Sequence, residues 1–351
     1  MRGGVLVIKE YLKHNWRKLD NTAKIFSLDD KNNVNIFRYS VVLKEKVDKH
    51  LLDMALQVAL ETMKAFKVKI KSGLFWNYLE YNDKIPIVIK DNDIPCQLID
   101  FKKNNDYLFK VTYYDKTINL DILHILTDGT GAIKFLKLIV YNYLGLKYNL
   151  VSDKEIKSNA INYHDQYLKN YDKNLISPSD FKGAYQIPGK ISNKVNNTSH
   201  YIIGVDKIKK VCRRYKVTIT EYLTAAYIYA LYLSVYNKKS KKDIAIHVPI
   251  NLRKYYLVDT PSNFFVCMNI RFKVSEFKVV TFKNVLRQVH QEFQEKLKTD
   301  KVKEYLSRDV KLGSNIPVRL VPLPIKRLFI RVVGTLFTKS STSALSNIGV
   351  V

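Results

Sequence analysis

The sequence predicts an α/β protein made of two sandwiches side by side. Three observations predict it. The chain has 351 residues, more than one hydrophobic core usually serves. Alternating apolar segments and segments with helical apolar spacing succeed one another in both halves. Between the halves, from Val151 to about Thr198, the chain is polar and full of turn signals: "ISPSDFKG", "IPGK", "NKVNNTS". We read residues 1–175 as an N-terminal subdomain, 176–198 as a crossover, and 199–351 as a C-terminal subdomain.

In the first half, "NVNIFRYSVVLKEKV" alternates through Val34, Ile36, Tyr39, Val41 and Leu43 and reads as a strand. "DKHLLDMALQVALETMKAF" places Leu51, Leu52, Ala55, Leu56, Ala59, Leu60 and Met63 at helical spacing, with Asp48 as its N-cap. "FKVKIKSGLFWNYLEYND" reads as a hairpin turning at Ser72-Gly73. "YLFKVTYYDKTINLDILHI" supplies two strands with Asp115-Lys116 near their turn, and "AIKFLKLIVYNYLG" a helix ending at Gly145. In the second half, "HYIIGVD" reads as a strand and "DKIKKVCRRYK" as a helix. "TITEYLTAAYIYALYLSVY" reads as a buried helix opened by a capping box, Thr218 or Thr220 before Glu221. "DIAIHVPINLR" and "FFVCMNIRFKV" are strands, and "TFKNVLRQVHQEFQEKLK" is a helix.

Composition narrows the function. Hydrophobic residues make up 46% of the chain, against only 12 glycines and 9 prolines, so it folds. The formal charge is +27, from 59 Lys+Arg against 32 Asp+Glu, a field that attracts anionic ligands. Those lysines are scattered among apolar positions, and the densest run, "NKKSKKD", reads as a turn. No zinc-finger, RNA-recognition or basic–heptad pattern is present, so no nucleic-acid partner is expected. Cys96, Cys212 and Cys267 are too few and uneven for a disulfide framework, which points to a reducing, cytoplasmic setting. The N-terminal apolar stretch is too quickly charged for a secretory signal. The longest apolar segment, Tyr222 to Tyr236, is shorter than a membrane span needs. "PLPIKRLFIRVVGTLFTK" has an apolar face of Ile325, Leu328, Phe329, Val332, Val333 and Leu336, with Lys326, Arg327 and Arg331 opposite or flanking. A helix packed on the second subdomain is the favoured reading over a helix lying on a membrane, because globular helices share this amphipathicity.

One stretch carries chemistry. In "HILTDGTG", His124 closes a strand-like run, Asp128 and Gly129 make a turn, and a helix follows Gly131. A histidine at the mouth of a strand can serve as a general base, because its ordinary pKa is near neutrality. Its second ring nitrogen then needs an acceptor to orient it. In isolation the favoured reading is a packed histidine beside an ordinary Asp-Gly turn, because geometry rather than spacing makes a site. Metal binding is not expected, since Asp-Gly breaks the helix that would align His124 with Asp128 and no third ligand stands at metal spacing.

H-x-x-x-D-G between a strand and a helix resembles the signature of the coenzyme-A-dependent acyltransferase superfamily, the group of chloramphenicol acetyltransferase, condensation domains and alcohol acetyltransferases. "WRKLDNTAKIFSL", "KVKIKSGLFWNYLEYND", "HILTDGTGAIKFLK", "VPINLRKYYLVDTPSNFF" and "SALSNIG" resemble successive blocks of its bacterial alcohol-acetyltransferase-like branch, in order and over nearly the whole chain. The resemblance implies two chloramphenicol-acetyltransferase-like sandwiches with an active-site tunnel between them. It implies that His124 deprotonates the acceptor and that Asp128 holds the loop through an arginine, for which Arg253 is the candidate. Gly129 and Gly131 would shape the turn, and Ser346 and Asn347 would lie near the tunnel as oxyanion donors. Many relatives carry two adjacent histidines, and here Leu123 takes the first place.

The implied reaction moves an acyl group, acetyl foremost, from a CoA thioester to a small alcohol or amine. Acyl-CoA is then a co-substrate, and no cofactor stays bound. The alternatives are a condensation-like protein whose donor rides on an acyl or peptidyl carrier protein, and an inactive relative. Relatives continue past the block resembling "SNIG", whereas this sequence stops at Val351, so the second sandwich is expected to be shortened.

Overall fold

A computed structural model describes residues 16–28, 35–91, 94–150, 165–175, 182–189, 198–314 and 320–351. The first half contains, in chain order, β1 (Trp16–Lys18), α1 (Asn21–Phe26), β2 (Ile36–Val42), α2 (Lys49–Thr62), β3 (Val68–Ser72), β4 (Asn77–Tyr81), β5 (Val88–Lys90), β6 (Phe109–Tyr114), β7 (Thr117–Leu123), α3 (Gly129–Tyr148) and α4 (Gln166–Lys169). The second half contains α5 (Val205–Tyr215), α6 (Ile219–Ser234), β8 (Ile244–Asn251), α7 (Arg253–Tyr256), β9 (Phe265–Phe272), α8 (Phe282–Lys296), α9 (Thr299–Ser314), α10 (Leu323–Lys339) and β10 (Ser343–Ala344).

The period-two pattern of "TINLDIL" organises the first sandwich. Its Ile118, Leu120 and Ile122 are fully buried beneath α2 and α3, against Leu52, Leu56, Phe135 and Ile139. Each such side chain contributes about 1.5–3 kcal/mol relative to leaving it in water. β7 is one of the two inner strands of a sheet ordered β2-β7-β6-β5. Its other face carries Asn119 and Asp121, and burial of a carboxylate there demands partners. Arg38 supplies them, donating to both Asp121 oxygens at 2.7 Å and to Asp91 at 2.8 and 3.2 Å. A second, antiparallel sheet, β1-β4-β3, flanks this sandwich.

The second sandwich packs α6 and α8 on β8 and β9, with Ile246, Val248, Met268 and Ile270 meeting Ala225, Ile228, Val285 and Val289. β8 and β9 pair antiparallel with Asn251 opposite Phe265, and β10 adds a parallel edge to β8. α6 begins at the capping box, in which Thr218 rather than Thr220 is the cap. A smaller core joins Val302, Leu306 and Val310 of α9 to Tyr167, Leu252, Phe264 and Val266.

Several expectations are corrected. "HYIIGVD" forms no strand: Tyr201, Ile202 and Ile203 are exposed without a ladder partner, and the helix begins at Val205. An alternating pattern makes a strand only where a neighbouring strand takes its backbone. The first hairpin turns over Gly73–Trp76, not Ser72-Gly73, with the Gly73 amide donating to the Trp76 carbonyl at 3.0 Å. α3 runs past Gly145 to Tyr148, where Asn149 takes the left-handed conformation that ends it. α9 was not anticipated, although Val302, Leu306 and Val310 recur at four-residue spacing.

The helix at the C-terminal end also departs from its expected polarity. Ile325 and Leu328 of α10 are exposed, whereas Lys326 is only 2% exposed. Its ammonium donates to the Phe75 carbonyl at 2.8 Å and stands 3.6 Å from the centre of the Trp76 ring. The Leu323 amide donates to Leu74 beside it. A cation over an indole face, with its apolar stem buried, explains how a lysine can be the inward residue. The other face residues, Phe329, Val332, Val333 and Leu336, have side chains outside the described residues. Among the described residues no helix is long and apolar enough to cross a membrane.

Lys326→Ala should loosen α10 from the β3–β4 turn. The expected loss is about 1.5–3 kcal/mol, the scale of a hydrogen bond to a charged group. Urea unfolding of the variant beside Lys326→Arg measures it.

Candidate active site

The site begins where β7 ends. The His124 amide donates to the Asn35 carbonyl at 2.9 Å, the last rung of the β2–β7 pairing. Residues 124–126 then turn, and the Leu126 amide closes on the Leu123 carbonyl at 2.9 Å. This sets the His124 ring at the strand mouth among three aromatic rings. Phe26, Phe37 and Phe265 have ring centroids 5.0, 4.4 and 6.1 Å from it. Burial pushes the imidazole below the ordinary histidine range, while Asp128, Asn263 and the Thr127 backbone pull the other way. The neutral, proton-accepting form is therefore favoured.

Asp128 is the N-cap of α3 and accepts from the Thr130 and Gly131 amides at 3.0 and 3.2 Å. The structure also brings Arg253 onto it, from 125 residues away. The guanidinium forks over the carboxylate, Nη1 to Oδ2 at 2.8 Å and Nη2 to Oδ1 at 3.1 Å. The Phe264 amide adds a fifth donor at 3.0 Å. Arg253 is itself fully engaged. Its Nε donates to the Thr260 carbonyl at 2.9 Å, and its Nη2 donates to the Ser262 carbonyl at 2.7 Å. Both side chains are 8% exposed, so this is a buried pair with its hydrogen-bonding capacity used up. Five donors commit the Asp128 carboxylate to structural hydrogen bonds.

The glycines sit where side chains cannot. A methyl at Gly131 would overlap Thr127 Oγ1 and the Pro261 carbonyl oxygen, which are themselves hydrogen-bonded to each other. A methyl at Gly129 would come within 2.6 Å of the Tyr39 hydroxyl. Ser346 and Asn347 lie in the segment that follows β10. Ser346 is exposed, and the Asn347 amide donates to Thr220 Oγ1 at 2.8 Å, at the start of α6. Leu123 ends β7 immediately before His124.

Sequence reasoning passed over three supports of the loop. The first is Asn263, 1% exposed, whose amide donates to the His124 carbonyl at 2.9 Å and to Asp20 Oδ2 at 3.2 Å. The second is Asp20, which caps α1 through the Ala23 amide at 2.7 Å. Burial, opposed by that backbone bond, raises its pKa to about 7. The third is Tyr167, fully buried, whose hydroxyl donates to the Phe265 carbonyl at 2.7 Å and accepts from the Phe265 amide at 3.0 Å. Asn263 and Asp20 lie inside the "PSNFF" and "WRKLD" blocks, but polar residues in loops carry no periodicity to single them out.

Asp128→Ala leaves the Arg253 guanidinium buried without its carboxylate and should cost about 3–5 kcal/mol, measured by urea unfolding. Arg253→Lys should not restore it, because one ammonium cannot reach Asp128, Thr260 and Ser262 together. Asp20 gives a pH signature. Its folded pKa stands above its unfolded one, so it favours folding at low pH, and that contribution is lost as pH rises from about 4 to about 7. Asp20→Asn should flatten stability over that window relative to wild type.

Comparisons with known proteins bear on the fold and on part of the sequence. Residues 182–351 match the model of the alcohol acetyltransferase family. No curated protein is significantly similar to the chain in sequence. TRI101 of F. graminearum, solved with coenzyme A and deoxynivalenol, superposes with a TM-score of 0.60 at 10% identity, covering 94% of this chain and 83% of that one. Polyketide synthase associated protein 5 of Mycobacterium tuberculosis does so with a TM-score of 0.58 at 12% identity, covering 85% and 74%. The first condensation domain of the CDA synthetase gives 0.55 at 12%, covering 82% and 75%. At such identities these likenesses are likenesses of fold. The chain shares the fold of these coenzyme-A-dependent acyltransferase and condensation-domain structures, and residues 182–351 match the alcohol acetyltransferase family model.

Proposed function

We propose that the protein transfers an acyl group, acetyl foremost, from a coenzyme A thioester to an alcohol or amine, with His124 as general base. One observation carries this reading. A neutral imidazole stands at the seam of the two sandwiches, while the neighbouring Asp128 is fully engaged by Arg253 and the backbone. The family match and the coenzyme A bound in the TRI101 structure support the donor.

In this reading His124 takes the proton of the acceptor's hydroxyl or amine as that group attacks the thioester carbonyl. A tetrahedral intermediate forms, its C–S bond breaks, and the imidazolium returns the proton to the departing thiolate. The group moves directly, so no acyl-enzyme forms. The aromatic cage keeps water from competing and strengthens each charge interaction in the site. Asp128 positions the loop. The excess of positive charge would draw in the phosphates of coenzyme A.

The same charge suits an acidic carrier protein, and the condensation-domain fold gives that second donor a specific basis. A carrier-bound donor would show turnover that falls steeply with salt and poor use of free acetyl-CoA.

The deciding experiment measures thiol released from acetyl-CoA with a panel of alcohols and amines. His124→Ala should lose about 10²–10⁴-fold in rate with its fold intact. Unchanged turnover in that variant overturns the reading. Because the imidazole pKa is lowered, the acid-side fall of kcat/KM should have its midpoint below the ordinary histidine value of about 6.5.

A further inference from the structure

The imidazole that the proposed reaction uses has one unexplained feature. His124 Nδ1 is buried and has no hydrogen-bond partner. A general base must present one bare nitrogen to the substrate and carry its proton on the other, and an imidazole with neither nitrogen fixed can adopt either tautomer. A buried N–H without an acceptor is costly, about 1–3 kcal/mol. The structure also holds the complementary orphan. Asn263 Oδ1 is buried without a partner, on a side chain lying against the same imidazole.

The orientation of the Asn263 amide is determined by what surrounds it. Its nitrogen has both protons committed, one to the His124 carbonyl at 2.9 Å and one to Asp20 Oδ2 at 3.2 Å. Both partners are acceptors, so the nitrogen and not the oxygen must face them. Oδ1 is thereby left as an acceptor. Asp20 is in turn fixed by the Ala23 amide at the start of α1, the helix whose Phe26 packs on the imidazole.

We propose that Asn263 is the positioning residue of His124: its Nδ2 holds the histidine's main chain, its Oδ1 accepts the proton of Nδ1, and Asp20 locks the amide in that orientation, leaving Nε2 bare as the base. The role of Nε2 rests on the acyltransferase reading; the tautomer does not. The relay runs from α1 through the loop before β9 to the end of β7, so three elements from both halves set one nitrogen. Asn263 touches no reacting atom.

The test is the nitrogen NMR spectrum of histidine-labelled protein at pH 8, with His124→Gln identifying the resonances of His124 among the 7 histidines. Wild type should show Nδ1 protonated and Nε2 bare. Asn263→Leu and the smaller Asn263→Ala should lose that preference, and Asn263→Asp, which keeps an acceptor oxygen, should retain it. In the thiol-release assay Asn263→Leu should lower kcat at least tenfold with the KM for acetyl-CoA little changed, and Asn263→Asp should recover part of the loss. A wild-type spectrum with the proton on Nε2 overturns the proposal. So does an unchanged Nδ1–H tautomer in folded Asn263→Leu or Asn263→Ala, which would assign the acceptor to the Thr127 backbone instead. If the wild type turns over no acyl-CoA, the acyltransferase reading fails while the spectra still decide the tautomer.

Discussion

The buried fork between Asp128 and Arg253 is the constraint on which the rest of the site depends. It ties the N-terminus of α3, in the first sandwich, to the loop before β9, in the second. Removing two charges from water is expensive, and the pair repays this only when every remaining donor and acceptor is satisfied. Here they are. Asp128 accepts from three backbone amides besides the guanidinium, and Arg253 donates to two backbone carbonyls besides the carboxylate. Its contribution is geometric more than energetic, because only one relative placement of the halves meets all these bonds.

That placement sorts the two titratable groups of the loop into different tasks. Asp128 has its oxygens taken up by donors from Arg253 and the backbone, and it serves the structure. His124 is driven toward its neutral form because aromatic rings surround it, and it stays available to accept a proton. The groups are four residues apart, and their different surroundings reinforce the difference between a carboxylate and an imidazole. The same logic governs Asp121 beneath the first sheet, a buried carboxylate made tolerable by Arg38. Gly131 completes the arrangement, since the close approach of Thr127 and Pro261 leaves no room for a side chain.

The strands and helices that pack against their own sandwich were legible, because each buries a face whose period is written in consecutive residues. β7 and α2 are examples, as is α6 with its capping box. So was H-x-x-x-D-G as a unit, since one strand end, one turn and one helix start place His124 and Asp128. The segment "HYIIGVD" shows the limit: it has the pattern of a strand, but pairing requires a second strand, and alternation does not guarantee one. Lys326 shows another, because hydropathy ranks it as outward and the Trp76 ring that makes it inward is far away in sequence.

The sequence by itself determined the local elements, the candidate base and the turn that carries it, because these follow from the spacing of neighbouring residues. Only the tertiary structure decided what surrounds that base. The meeting of Asp128 with Arg253, the aromatic rings about His124, and the bonds from Asn263 to His124 and Asp20 join residues as many as 243 positions apart. Such contacts leave no periodic trace, since a loop residue that makes a single long-range hydrogen bond answers to its distant partner and not to its neighbours in the chain.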